Sequence, residues 1–317
     1  MKTWQQLSTI GFASVFILSA CGDDTTDKSE TAKPETEQQE VASVFPVTVT
    51  DVLDREVTID KAPTRIVSLI PSNTEILFGL GLNEEIVGVN DNDNYPVEAQ
   101  EKQKVGGMEF NLEAIIALQP DLVLAHESGL YSFGEEAIAQ LEAVGIPVFV
   151  VKNAVDFEET YTTMEQIGQL TGKKAEAKAM IESIQQGITA VENKVSSLKE
   201  KSVFVVVGTE PDLYAAGDET FIDEMLDVLK AENVVEELGW PMYSAEQFVK
   251  MNTEMILVTY DSDLDAITNN AAYAEMDAVK NSNVKLVDSD TTSRQGPRIV
   301  EGIESLGKAI YPEAFNE

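Results

Sequence analysis

Histidine, cysteine and basic residues are what this chain has least of. One His and one Cys occur in 317 residues. A lone His excludes a multi-histidine zinc or iron site. A lone Cys excludes an intrachain disulfide, a cysteine zinc site and an iron–sulfur cluster. A metal held by several soft side chains is therefore ruled out, whereas a metal carried inside an organic ligand is not. Lys and Arg total 22 against 56 Asp and Glu, for a net charge of −34. Phosphate binding needs a basic face, so nucleic acid is excluded as a partner, and surface charge gives no hold on anionic lipid. No glycine-rich phosphate cradle of the P-loop or dinucleotide type is present. A serine nucleophile would have His126 as its only candidate base. Paired carboxylates could serve a glycosidase, but among so many acids adjacency arises by chance. The balance favours a binder over an enzyme.

What is present begins with an export pattern. Residues 1–20 read as a signal peptide, with Lys2 and an apolar stretch from Ile10 to Leu18 that is too short to span a bilayer as a mature helix. Leu18-Ser19-Ala20-Cys21 matches the bacterial lipoprotein signal, which makes Cys21 the lipid attachment site. Two acyl chains on that residue would anchor stably. Residues 21–44 form an acidic stretch with Asp23, Asp24, Asp27, Glu30, Glu35, Glu37 and Glu40 and no core pattern, which reads as a disordered tether. As a coil it would reach roughly 25–30 Å. The expected location is extracytoplasmic, on the outer face of the membrane of a Gram-positive type bacterium. Membrane contact would be through the lipid only.

From residue 45 the chain has the makeup of a globular body, with 43% hydrophobic and 25% charged residues overall. Val47–Asp51 alternates like a half-exposed strand, and Val57–Ile59 can pair with it through a turn at Asp54. Short apolar runs at 65–70, 86–89, 121–125 and 147–151 alternate with helical segments, one opening at Ser72 or Asn73 as cap, others over 111–118 and 135–144. This alternation predicts a mostly parallel sheet covered on both faces. Asp156 with Glu159 forms a capping box for a helix to Leu170. From Lys173 to Glu200, Ile181, Ile184, Ile188, Val191, Val195 and Leu198 make a narrow helical stripe. That predicts a rigid strut about 40 Å long. Strand runs then resume at 203–207, 255–259 and 284–287, with helices at 221–229 and 299–310. The expected organisation is an N-terminal α/β lobe over 45–170, an inter-lobe helix over 171–200 and a C-terminal α/β lobe over 201–317.

Four segments carry a family resemblance. They are Arg65–Glu75 with Gly79, Gly81 and Val87-Gly88-Val89; Val105-Gly106-Gly107 through Asn111–Ile115 to Pro120–Val123; Gly239-Trp240-Pro241 with Ser244–Gln247; and Asp290–Arg294 with Gly296–Ile299. In order and spacing they resemble the substrate-binding lipoproteins of ABC importers for vitamin B12, ferric siderophores and haem. The resemblance covers Val47 to Tyr311. It implies two Rossmann-like lobes with mostly parallel sheets joined by one long rigid helix, the class III periplasmic-binding-protein arrangement. It further implies a monomer with no cofactor of its own, serving a permease dimer and its ATPase.

Open α/β sheets place ligands at the carboxyl ends of their strands. In the first lobe this selects Asn92, Met108, His126 and Tyr131, and in the second Tyr214, Trp240, Tyr260, Asp290 and Arg294. Aromatics are only 7% of the chain, yet they gather in these loops, as a large flat ligand requires. The resemblance puts Trp240 in the pocket of B12-binding relatives, while Asn92 and His126 stand where those relatives carry aromatics. His126 could reach a metal axially through its imidazole, and Met108 resembles an axial Met of haem-binding relatives. Neither is assigned as a metal ligand. Arg294 or Arg298 could hold an anionic group of the ligand, Arg298 alternatively pairing with Glu301 or Glu304 outside the pocket. The family's two permease-docking glutamates fall by position on Glu135 and Glu246. The expected ligand is a cobalamin-type corrinoid (cobalamin or cobinamide), with a ferric siderophore or haem as alternatives. A secreted enzyme or a receptor sensor domain is the reading from another class.

Overall fold

A computed structural model describes residues 44–315. The expected signal peptide, Cys21 and all but the last residue of the expected tether lie outside the described residues. At the start, Val47–Thr50 (β1) and Glu56–Ile59 (β2) bury alternate residues and pair antiparallel, with Val47 opposite Ile59. The turn between them holds Asp54 at φ 58°.

The first lobe is built on four parallel strands: Ile66–Ser68 (β3), Ile86–Gly88 (β4), Leu122–His126 (β5) and Val148–Val151 (β6), in the order β4-β3-β5-β6. Every residue of β5 and β6 is buried, which is why both read as unbroken apolar runs. Pro71–Gly79 (α1), Leu112–Ala117 (α2) and Leu130–Ala143 (α3) cover the sheet. Asn111 caps α2 by accepting from Ala114 N at 3.0 Å. The start of α1 differs from expectation. Ser72 and Asn73 lie inside the helix, Pro71 opens it and Ile70 is its N-cap, with no side-chain cap bond. Proline suits that place because the first helical N–H has no partner within the helix.

Two helices lead to the second lobe. Phe157–Thr171 (α4) is capped by Asp156, which accepts from Glu159 N at 2.7 Å. The Glu159 carboxylate accepts from Val155 N at 3.1 Å, so the box closes one residue early. Gly172 ends α4 in the left-handed region at φ 73°. Lys174–Val195 (α5) then runs 22 residues, about 33 Å at ~1.5 Å per residue. It stops a turn short of the expected Glu200, and Leu198 N donates to Val195 O at 2.9 Å in the turn that follows. Ile181, Ile184, Val191 and Val195 are its buried stripe.

The second lobe holds Ser202–Gly208 (β7), Leu213–Ala215 (β8), Glu232–Asn233 (β9), Met242–Tyr243 (β10), Met255–Val258 (β11) and Val284–Leu286 (β12). Strands β7, β9, β11 and β12 run parallel, whereas β8 and β10 add antiparallel to one edge, so this sheet is mixed. Its helices are Phe221–Val228 (α6), Ala245–Met251 (α7), Asp261–Thr268 (α8), Asp277–Lys280 (α9), Ser289–Ser293 (α10), Ile299–Ile310 (α11) and the short Pro312–Phe315 (α12). Helix α4 leans on the first lobe, where Gln166 and Gln169 donate to Thr50 O and Thr48 O, each at 3.4 Å. Helix α5 lies against α11 so closely that a Cβ on Gly187 would sit 2.6 Å from Val300 Cγ2. The pair α4–α5 thus stitches the lobes, in place of a lone strut. The largest apolar core is continuous across the stitch, running from Val47 and Val49 through Ile76, Met164 and Ile184 to Leu306 and Phe315.

Candidate ligand-binding site

A mostly apolar concavity of about 610 Å³ opens at the carboxyl ends of β3, β4 and β5. Ile70, Asn92, Met108, Phe110, His126 and Ser132 are among its lining residues. Asn90 holds its wall together. The Asn90 amide donates to Leu69 O at 2.9 Å and Gly107 O at 3.2 Å, and its Oδ1 accepts from Asn92 N at 2.9 Å. Asp93 ties the same loop to α1, where Thr74 Oγ1 donates to Asp93 Oδ2 at 2.6 Å. Burial pushes the Asp93 carboxyl up to about 6, against the lowering pull of Thr74 and Lys104. Behind the floor, Asn73 Nδ2 donates to Ala125 O at 3.1 Å. The turn that carries Met108 depends on Gly106, at φ 111°, where a Cβ would fall 2.3 Å from Glu109 O.

His126 ends β5 and is buried at 6% exposure. Its Nδ1 accepts from Ser128 N at 3.2 Å and lies 2.8 Å from Ser128 Oγ. Accepting from a backbone N–H requires a bare Nδ1, so the ring proton sits on Nε2. Burial lowers the imidazole pKa to about 4, leaving it neutral at physiological pH. Met108 is 77% exposed on the rim. Tyr131 is fully exposed beside the concavity and does not line it. Asn92, Met108 and His126 are thus brought together. Tyr214, on β8 opposite Met242, and the half-exposed Trp240 and Tyr260 belong to the second lobe, outside that concavity.

Arg294 and Arg298 have partners the sequence did not suggest. Glu75, on α1 and only 2% exposed, receives both. Arg298 Nε and Nη2 donate to Glu75 Oε2 and Oε1 at 2.8 and 2.6 Å, and its guanidinium lies 4.2 Å from the Tyr95 ring centre. Arg294 Nη1 donates to Glu75 Oε1 and Asn94 Oδ1, both at 2.8 Å, and its Nη2 to Asp290 Oδ1 at 2.7 Å. Asn94 Nδ2 also donates to Asp290 Oδ2 at 2.7 Å. The expected pairing of Arg298 with Glu301 or Glu304 is corrected: Glu304 meets Lys194 at 3.2 Å instead. A buried carboxylate without cations would be costly, and this is what draws both arginines across the lobe boundary. Arg294 and Asp290, expected to face ligand, are members of this inter-lobe tie. Sequence reading missed Glu75, although an acid inside a buried helix was a signal available to it.

Glu135 is exposed just past the kink at Gly134, where φ is 72°. Glu246 is exposed in the first turn of α7 and pairs with Lys250 at 2.7 Å. The described residues contain no cluster of three or more His, Cys, Asp or Glu able to hold a metal. No described helix is long and apolar enough to cross a membrane.

Two α/β lobes, a helix pair between them and a concavity at strand ends define the class III bilobed solute-binding fold. The periplasmic binding protein family model matches residues 66–291, and the chain belongs to that family. It is the substrate-binding protein of an ABC transporter, a non-enzymatic, extracytoplasmic component that works with a permease and an ATPase. The chain is 41% identical over 305 residues to an uncharacterised ABC transporter substrate-binding lipoprotein of Bacillus subtilis, YvrC, spanning 95% of each. It is 27% identical over 285 residues to a cobalamin-binding protein of Halobacterium salinarum, spanning 85% of this chain and 75% of that one. The solved structure of a possible iron-binding (periplasmic solute-binding) protein from Staphylococcus epidermidis superposes with a TM-score of 0.73 at 39% identity, over 79% of this chain and 100% of that one.

Proposed function

We propose that this protein captures a metal–organic complex outside the cell and delivers it to its permease dimer, with a cobalamin-type corrinoid as the first candidate. The carrying observation is the concavity itself, which joins apolar walls to neutral hydrogen-bonding groups from Asn92 and His126. A corrin has an apolar body and amide side arms, which match that chemistry. Trp240 and Tyr260, both 53% exposed on the second lobe, offer aromatic surfaces on which such a ligand would stack. The cobalamin-binding relative supports the same choice. His126 acts as a donor through Nε2–H. Met108, exposed on the rim, supports haem or a ferric siderophore as the second reading, with a possible iron-binding relative behind it. Cys21 carries the lipid that anchors the protein to the outer face of the membrane, and Glu135 and Glu246 meet the permease.

The test is a fluorescence screen. Removal of residues 1–20 deletes Trp4 and leaves Trp240 as the only tryptophan. Cyanocobalamin, cobinamide, haemin and ferric siderophores are each titrated into that mature chain. Saturable quenching by a corrinoid supports the first reading, and quenching by haemin or a siderophore alone supports the second. A shifted haem or corrin absorption band would show axial ligation by His126 or Met108. No binding by any of these complexes refutes the proposal. Cys21→Ala should release the protein from the membrane; a variant still anchored through the same N-terminus would refute the lipid attachment.

A further inference from the structure

Two arginines lie where the lobes meet, and neither is free. Both are spent on Glu75, which lies four residues, about one helical turn, beyond Pro71, a lining residue of the concavity. Among the described residues Glu75 is the one acid that takes both guanidinium groups, and Asp290 takes the second fork of Arg294. With His126 neutral, no residue lining the concavity carries a charge. Two charges border the wall: the Asp91 carboxylate lies 3.7 Å from where a Cβ on Gly107 would stand, and the Lys104 ammonium, behind the loop, is engaged by Asn90 O and Asp93 O at 3.1 and 2.8 Å. An anionic group brought into this cleft would be desolvated with no cation among the lining residues to receive it.

We infer that Glu75 determines the charge selectivity of the cleft: by holding both Arg294 and Arg298, with Asp290 balancing the second charge, it makes the site one for complexes that are uncharged on their buried face. The inference rests on the concavity being the ligand site. It goes beyond that reading in stating what the site rejects, namely the carboxylate-rich members of the same ligand class. Glu75 need not touch the ligand. It acts by occupying the arginines, and so is a positioning residue.

The experiment uses the full-length lipoprotein in detergent and pairs of probes matched in shape but not in charge. These are cyanocobalamin against its monocarboxylate, with one peripheral amide hydrolysed; haemin dimethyl ester against haemin; and ferrichrome against ferric citrate as a less closely matched pair. Calorimetric titration should show the uncharged member of a matched pair binding at least about tenfold tighter, the scale of an unpaired desolvated charge. In Glu75→Gln the gap should narrow or reverse, because both arginines lose their shared anion. In Arg298→Gln, which loosens the same tie but leaves Glu75 on Arg294, the gap should persist. A gap lost equally in both variants would mark the effect as loosening of the lobes and overturn the inference. If Glu75→Gln does not fold, the wild type still decides. Equal or tighter binding of the acid member, or acid binding that weakens as salt rises, would reveal a free cation and overturn it. Binding of no probe would refute the cleft reading, and charge selectivity with it. Binding without charge preference would refute selectivity alone.

Discussion

The backbone N–H of Phe157, at the start of α4, donates to the Glu224 carboxylate on α6 at 2.5 Å. The bond crosses from the first lobe's exit to the second lobe's interior, beside the edge-to-face pair of Phe157 and Phe221 with ring centres 5.6 Å apart. Burial pushes the Glu224 carboxyl up to about 7, and Asp156, Asp227 and Glu158 add to the rise, while the bond from Phe157 pulls it down.

That shift has a definite sign. A carboxyl near 4.5 in the unfolded chain and about 7 in the fold binds its proton more tightly when folded. Its contribution is full below the lower value and is lost as pH rises through the upper one. Asp93, raised to about 6, adds a loss of the same sign at lower pH. His126, lowered to about 4, acts oppositely, its contribution being lost as pH falls below 6.5. Between pH 6 and 8 the Glu224 effect should therefore dominate these three. Wild type should lose about 1 kcal/mol relative to Glu224→Gln over that range, less than the full shift implies because the group is partly solvated. Urea titrations at several pH values check this, and parallel profiles would contradict it.

Arg298→Ala should destabilise the protein by about 3–5 kcal/mol, since it strips a partner from a buried carboxylate. Two donor bonds to Glu75 and the contact with Tyr95 are lost together. Chemical denaturation gives the number, and a loss below about 1 kcal/mol would mean that the tie behaves as a surface pair.

At Gly187 two effects compete. Alanine favours a helix by about 0.8–1 kcal/mol over glycine. Its Cβ would stand 2.6 Å from Val300 Cγ2, however, and overpacking costs about 1–3 kcal/mol. Gly187→Ala should thus be destabilising by about 1 kcal/mol net. Adding Val300→Ala should show a favourable coupling in a double-mutant cycle, and strict additivity would speak against the contact.

Replacing Glu135 and Glu246 together by Ala should leave ligand affinity unchanged, because neither lines the concavity. Transport should fall sharply, as truncating one side of a desolvated charge pair costs about 2–5 kcal/mol. Steering would survive on a chain of net charge −34, so the loss would report specific pairing. Normal transport by the double variant would move attention to Glu136.

Much of this architecture was legible where one local rule decides the outcome. Strands β5 and β6 announce themselves as apolar runs because both faces are covered. The β1–β2 hairpin shows its alternation, Asp156 shows its cap, and α5 shows its stripe. Tertiary partners decided the rest. Ser72 and Asn73 look like caps, but the floor of the concavity claims Asn73 through Ala125 O. Strands β8 and β10, three and two residues long, are too short to carry a pattern. Arg294 and Arg298 stand 219 and 223 positions from Glu75, and no spacing rule joins residues so far apart.

A core that runs unbroken from Val47 to Phe315 also constrains how such a protein can diversify. Were each lobe a separate module, descent could trade one lobe for another and combine half-sites freely. Here a transplanted lobe would have to match α4, α5 and α11 at every shared contact, so exchange at the Gly172 boundary would leave a mismatched interior. Exposed rim positions such as Met108 and Trp240 face no such demand. Change of ligand over evolutionary time is thereby channelled into those rims, while the body beneath them is inherited whole.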